Sequence, residues 1–202
     1  MQHTYWYGAV PVLGIALVLC GTVIAAPSDR YFHAEGPPPA HTGGFQEPTC
    51  MECHDEFDLN PGIGALGIDG LPAAYKPGEA YDVSIVVQGD AEMARAGFQG
   101  AFRFADGPHR STRAGVAEAL DDRVAIRVDE MSGAEYVQHS IAGTGLTASQ
   151  LATWIFRWTA PQSADPIVFH VAANSANGDN SPLGDLIYFV ETSMLGDSSA
   201  NE

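Results

Sequence analysis

Basic residues are scarce in this sequence. Nine Lys and Arg stand against 25 Asp and Glu, a formal net charge of -16 at pH 7. A surface of that sign repels phosphate backbones, which argues against nucleic acid as a partner. It is repelled by anionic lipid headgroups as well. Soluble partners carrying basic patches fit better, and the acidity also keeps a protein soluble. Cysteine is scarcer still, three in 202 residues. Cys20 lies in an N-terminal apolar stretch, which leaves Cys50 and Cys53, and two cysteines at that spacing are no disulfide framework for a small secreted domain. Helical periodicity is weak nearly everywhere. No Ser/His/Asp or paired-carboxylate arrangement is legible, so an electron carrier or binding module is expected rather than a catalyst. Apolar residues are not lacking: they make up 46% of the chain. The length suffices for one domain with a hydrophobic core, and the composition is not that of a disordered chain.

Residues 5–26 form an apolar run, after which polarity returns at Pro27, Ser28 and Asp29. Val23, Ile24 and Ala25 end the run as a signal peptidase site would, with cleavage expected after Ala25. The residues ahead of the run hold no Lys or Arg, only His3. The run is also long enough to cross a bilayer uncleaved, as an N-terminal anchor. A lipidated Cys20 is a third reading, against which Leu19 is large for the position before the cysteine. All three put the rest of the chain outside the cytoplasm, in the periplasm or on the outer face of the membrane.

The stretch from 27 to 61 reads as a loop segment, punctuated by Gly36-Pro37-Pro38-Pro39, Thr42-Gly43-Gly44 and Asn60-Pro61-Gly62. From residue 62 the pattern changes to short strands. Residues 80–88 alternate with β-branched enrichment, after a Pro77-Gly78 turn. Residues 96–105 set Phe98, Phe102 and Phe104 on one face. Residues 123–129 alternate around Val124, Ile126 and Val128, and residues 153–159 align Trp154, Phe156 and Trp158. Residues 167–173 are almost continuously apolar, as in a central strand, and residues 186–191 read as the last strand. A short helix capped by Thr147 is expected over 147–153. Residues 194–202 read as a frayed acidic tail. Many short strands separated by turns predict an all-β fold, a β-sandwich spanning 62–193 whose aromatic stripes form the core.

The motif that carries chemistry is Cys50-Met51-Glu52-Cys53-His54. Thiols at this spacing reach the two vinyl groups of one porphyrin and form thioethers, and the histidine that follows supplies an axial imidazole to the iron. One covalent haem c is therefore expected, bound through Cys50, Cys53 and His54. Three other readings compete. A structural zinc site needs a fourth ligand from elsewhere. A thioredoxin-like dithiol needs a βαβ setting, which the sequence lacks. A disulfide across two residues is strained. For the position opposite His54 the candidates are His33, His41, His109, His139, His170, Met93 and Met131, with His139 preferred as the distal iron ligand because it ends a strand next to a loop. Histidine there would give a lower potential than methionine.

Taken together, these pieces resemble the bacterial Reeler-like (reelin-type, or choice-of-anchor V) domain proteins, in the form with an N-terminal C-x-x-C-H. The matching segments, within residues 41 to 192, are His41-Thr42-Gly43-Gly44 ahead of the motif, Tyr75-Lys76-Pro77-Gly78, Ala96-Gly97-Phe98-Gln99, Tyr136-Val137-Gln138-His139, and Trp154-Ile155-Phe156-Arg157-Trp158-Thr159-Ala160-Pro161. The most specific block runs from Phe169-His170-Val171 through Asn177-Gly178-Asp179 to Gly184-Asp185-Leu186-Ile187-Tyr188. The resemblance implies an immunoglobulin-like sandwich, extracytoplasmic placement and a role beside other redox or surface proteins. No sorting signal follows Tyr188, so anchoring is expected at the N-terminus if it occurs.

Asn174, Asn177, Asp179, Asn180 and Asp185 form a loop dense in oxygen atoms that calcium could use, without the spacing of an EF-hand. Asn, Asp and Gly are also ordinary turn formers. The functional expectation is a monohaem electron-transfer protein or the haem subunit of a larger redox complex, with an extracytoplasmic redox protein as partner. An adhesion or assembly module of immunoglobulin type, whose cysteines bind a structural metal or nothing, is the alternative. A haem enzyme or gas sensor with an open sixth position is the third.

Overall fold

The computed structural model describes residues 1–3 and 33–197. The chain divides into two units, Met1–Arg30 and Tyr31–Glu202. The expected leader, with Cys20 and the site after Ala25, lies outside the described residues, as do residues 198–202. No helix among the described residues is long and apolar enough to cross a membrane.

In the second unit the strands are, in chain order, β1 (Ala65–Asp69), β2 (Ala74–Tyr75), β3 (Ala80–Gln88), β4 (Arg95–Phe104), β5 (Val116–Ala119), β6 (Val124–Val128), β7 (Glu135–His139), β8 (Leu151–Thr159), β9 (Ile167–Ala176) and β10 (Leu186–Gly196). They form two sheets, one ordered β1-β3-β8-β5 and the other β2-β10-β9-β4-β7-β6. Every pairing is antiparallel except that of β2 with β10. The fold is the expected all-β sandwich.

Local chemistry sets the elements. Lys76-Pro77-Gly78-Glu79 closes a turn with Glu79 N–H donating to Lys76 C=O at 3.1 Å and Gly78 at φ 75°. Proline at the second place and a positive-φ glycine at the third are what a type II turn demands. It delivers the chain into β3, where Val83, Ile85 and Val87 alternate inward and pair with β8. From β8 come Ala152, Trp154, Phe156 and Trp158, all fully buried. They meet Phe98, Phe102, Phe104, Phe169 and Val171 from the other sheet. Phe102 lies between Trp158 and Phe169, with ring centroids 4.4 and 3.8 Å away. The indole N–H groups stay satisfied, Trp154 by Gly143 C=O at 2.9 Å and Trp158 by Ala114 C=O at 3.0 Å.

Two expectations are corrected. Residues 147–153 form no helix: Thr147 and Ala148 turn back to bond Leu151, where β8 begins, and a single 3-10 turn lies earlier, at Ala142–Thr144. Strand pairing wins because the inward Ala152 and Trp154 need the β8 register. The last strand runs past residue 191 to Gly196, pairing Met194 with Ile167. Met194 is 1% exposed and so belongs to the core, not to a tail.

β4 and β9 are buried on both faces. Phe98 and Phe169 face the sandwich interior, while Gln99, Arg103, His170 and Ala172 point the other way and are also buried. What covers that outer face is the segment 33–63, expected to be a connecting loop.

Candidate functional site

The covering segment is held to the sheet side chain by side chain. Gln99 accepts from His41 N–H at 2.8 Å and donates to Pro38 C=O at 3.0 Å and to Gln138 at 2.9 Å. Gln138 donates to Glu35 C=O at 3.2 Å. Glu47 pairs with Arg103 and accepts from the Tyr136 hydroxyl at 2.8 Å. Asn60 substitutes for a neighbouring strand along β10. Its N–H donates to Ile187 C=O at 2.9 Å, its side-chain oxygen accepts from Phe189 N–H at 2.9 Å, and its amide donates to Phe189 C=O at 3.2 Å. The buried Gln99, Gln138 and Glu47 groups of this layer thus have partners, as does the Arg103 guanidinium through Nη2, while Arg103 Nε has none.

Between these anchors the C-x-x-C-H motif forms one 3-10 turn, Cys50–Glu52. Thr49 caps it, its hydroxyl accepting from Met51 N–H at 3.2 Å, and the N–H groups of Cys53 and His54 both reach Cys50 C=O, at 3.3 and 3.1 Å. The turn therefore carries both cysteines and the histidine, as the motif predicts. It is tied down on both sides. Glu52 meets His41 Nε2 at 2.6 Å, and Glu56 accepts from Gly184 N–H at 2.5 Å. Burial pushes the Cys50 thiol up to about 12, with a smaller contribution from Cys53, which is exposed. A thiol so raised stays protonated at neutral pH, unlike the low-pKa thiolates of dithiol redox sites. Among the described residues no group of three or more His, Cys, Asp or Glu is placed to hold a metal ion.

His54 is half-buried at the end of β9 and β10. Its Nδ1 lies 2.8 Å from Asp185 Oδ2. Nε2 has no protein partner among the described residues. Asn174 Nδ2, which donates to the same Asp185 oxygen at 3.1 Å, also lies within hydrogen-bond distance of His54 Nδ1, at 3.4 Å. Asp185 Oδ1 accepts from Asn177 N–H at 3.1 Å. Beside the turn, Phe57, Ile63 and Leu186 line a shallow groove of about 340 Å³, whose charged lining is Asp58, Asp90 and Glu92.

The structure does not bring His139 to an open position. The β4–β7 ladder pairs Gln99 with Gln138 and Gly100 with Val137, and beyond it the His139 ring takes the place of the next peptide. Nε2 can only donate to His33 C=O, at 3.2 Å, so in the neutral ring Nδ1 accepts from Phe98 N–H at 3.0 Å. Burial holds the imidazole below its ordinary 6.5 and so in that neutral form. A Cβ on Gly97 would lie 2.6 Å from the ring, so glycine makes room for it. With both nitrogens engaged by backbone, His139 is not assigned as a distal ligand. The other candidates are dispersed. His33 contributes its carbonyl to His139, His41 bonds Glu52, and His109 packs near Phe104. His170 bonds Glu191 at 2.9 Å beneath Phe45 and Gly44. Met93 is in the core and Met131 is fully exposed.

The polar loop after β9 closes largely on itself. Asn177 accepts from Asp179 N–H at 3.0 Å, and Asp179 from Ser181 N–H at 2.7 Å. Its outward contribution is Asp185, which the sequence pattern marks as part of the Reeler-like block and as a possible calcium ligand. The signal was present as a Gly-Asp pair at the end of a polar loop, but nothing in the sequence tied it to His54.

No family model matches the chain, and no curated protein does. Among solved structures it is similar to the human F-spondin reeler domain, with 17% identity over 66% of this chain and 89% of that one, at a TM-score of 0.45. A second structure, of the Reelin-N domain of F-spondin, shares 17% identity over 73% of this chain and 96% of that one, at a TM-score of 0.47. A cohesin module from a Clostridium perfringens family 33 glycoside hydrolase shares 13% identity over 67% and 97%, at 0.44.

Proposed function

We propose that the chain is an extracytoplasmic monohaem c-type electron carrier on a Reeler-like sandwich, its haem held by thioethers from Cys50 and Cys53 and by His54 as axial ligand. The observation that carries the reading is that one capped turn presents Cys50, Cys53 and His54 together, with His54 Nδ1 2.8 Å from the buried carboxylate of Asp185. Nε2, the atom an iron would take, is left without a protein partner among the described residues. Metal-ligating histidines characteristically donate their other N–H to such a carboxylate. A surface histidine needs no such arrangement.

Bound haem supplies a one-electron ferric/ferrous couple. The chain's own residues do the rest. Cys50 and Cys53 retain the group covalently, which a fold with almost no helix needs because it cannot wrap a porphyrin. Glu52 ties the attachment turn to His41, and Glu56 and Asn60 tie the stretch after it to Gly184 and to β10. Phe57 and Ile63 offer apolar surface beside it. The partner is an extracytoplasmic redox protein or a membrane redox complex that presents basic residues, since the groove beside the turn is lined by acidic and no basic side chains. The leader, cleaved or retained, supplies export or the anchor.

Pyridine haemochrome spectra of the full chain, exported in a host with haem-maturation machinery, test the reading. One covalent haem per chain is expected, lost from the denatured protein when Cys50→Ala and Cys53→Ala are combined. A chain that folds without covalent haem overturns it and leaves the immunoglobulin-type assembly module as the better reading.

A further inference from the structure

Two buried histidines lie under the covering segment, one near each end of residues 33–47. His139, 8% exposed, holds the first of these residues. Its Nε2 meets His33 C=O at 3.2 Å while Nδ1 accepts from Phe98 N–H at 3.0 Å. His170, 6% exposed, lies under Gly44, where a Cβ would come 2.4 Å from Nδ1, and Phe45 meets its ring edge-on at 5.3 Å. His170 Nε2 bonds Glu191 at 2.9 Å, but the buried Nδ1 has no hydrogen-bond partner. Phe45 and Gln46 hold φ angles of 52° and 73°. Non-glycine residues keep that left-handed backbone only where the surrounding contacts enforce it.

We propose that residues 33–47 form an acid-released strap, which lies on the sheet while His139 and His170 are neutral and lifts when they take up protons. The reason is what each ring meets. A proton on His170 Nδ1 puts an N–H and part of a positive charge against Gly44 with no acceptor, and burying such a group is costly. A proton on His139 Nδ1 breaks the bond from Phe98 N–H and leaves only Phe98 C=O, 3.1 Å away. Lifting the strap gives water to His170 and frees His139 from His33. His170 faces Glu191 from β10, Arg103 from β4 and Glu47 from the strap, and His139 faces His33. The two carboxylates favour a charged His170 and Arg103 opposes it, yet burial outweighs them and holds the ring below its ordinary 6.5. Burial likewise outweighs the backbone groups of Phe98 and His33 at His139. The closed strap therefore binds fewer protons than the open one, so falling pH favours opening. The strap also carries His41, which meets Glu52 of the attachment turn, so opening loosens the turn's tether. The inference needs no haem and stands apart from the function proposed above.

Hydrogen exchange of the full chain, followed by NMR from about pH 7.5 to about pH 4 and expressed as protection factors, tests this. The strap's reporters are the hydrogen-bonded amides of Gly36, His41, Gly43 and Glu47. The amides of Phe169 and Val171, on a strand paired on both sides, report the sandwich. Strap protection is expected to lie below that of β9 and to fall between about threefold and about 30-fold by pH ~5. The upper figure is that of one histidine of ordinary value barred from protonation in the closed form. The double variant His139→Gln with His170→Gln is expected to lose that fall, with His33 and His41 still in place. A fall that survives in the double variant overturns the inference. So does strap protection equal to that of β9 at every pH, because cover and sandwich then open only together. Should the double variant fail to fold, the parent decides. Protection lost from near pH ~6.5 downward supports the strap, and loss that begins only below about pH 4.5 belongs to carboxylates such as Glu47 and overturns it.

Discussion

Arg103 on β4 and Glu47 of the covering segment form an ion pair whose side chains are 5% and 12% exposed. Tyr136 accepts a hydrogen bond from the same guanidinium at 2.9 Å and donates to Glu47, and its ring lies 5.3 Å below the Arg103 cation. The pair joins two parts of the chain that sequence patterning treats as separate.

Its removal is predicted to be costly. Glu47→Gln leaves Arg103 buried without its counter-charge, and breaking one side of such a pair costs about 3–5 kcal/mol. Urea unfolding of the full chain checks this. The double variant Glu47→Leu with Arg103→Met is expected to recover most of the loss, because it leaves no charge buried. A Glu47→Gln variant as stable as the parent would sink the account of the covering segment as part of the folded unit.

Stability is predicted to fall with acidification below about pH 6.5, the ordinary histidine value. Burial holds His139 below that value in the folded chain, and it lowers His170 too, against an opposing pull from Glu191. Between the depressed folded value and the unfolded one, the unfolded chain binds more protons, so stability rises with pH across that interval. It is fully present above the unfolded value. Denaturation midpoints measured from about pH 5 to about pH 7.5 check the direction. The His139→Gln variant is expected to show a flatter profile, since glutamine cannot titrate. A profile just as steep in that variant would remove His139 from the explanation.

Met194→Ala is predicted to destabilise by about 2–5 kcal/mol, the usual range for a buried methionine. Leu195→Ala, at a position 64% exposed on the same strand, is expected to change stability by no more than about 0.5 kcal/mol. Thermal or urea midpoints of the two variants separate a strand that ends at Gly196 from a tail that begins at Met194. Equal, negligible effects at both positions would favour the tail.

Much of the fold was legible in the residues because strand chemistry is local. The Pro77-Gly78 turn and the alternation in residues 80–88 place β3 where it is observed. The aromatic spacing of Trp154, Phe156 and Trp158 identifies a core face, because side chains two residues apart share one side of a strand. The near-continuous apolar run beginning at Ile167 announces a strand covered on both faces. What it cannot announce is the cover. Segment 33–63 has no period, so its pairing with Gln99, Arg103 and Phe189 is invisible until the chain is folded. The helix expected over 147–153 failed for a similar reason: a capping threonine is a local preference, and the register of β8 overrode it.

For the site, the spacing of Cys50, Cys53 and His54 by itself determines that two thiols and an imidazole share one turn, since that depends on the backbone alone. The scarcity of basic residues likewise sets the sign of the surface without any fold. Only the tertiary structure decides which nitrogen of His54 is left without a protein partner, because Asp185 and Asn174 are brought against Nδ1 by the β9–β10 pairing. The same holds for His139. Its sequence setting at a strand end is that of an available ligand, but β4 supplies a backbone partner to one ring nitrogen and the covering segment to the other. Availability of a side chain depends on what the rest of the chain places against it, and that is settled by long-range packing.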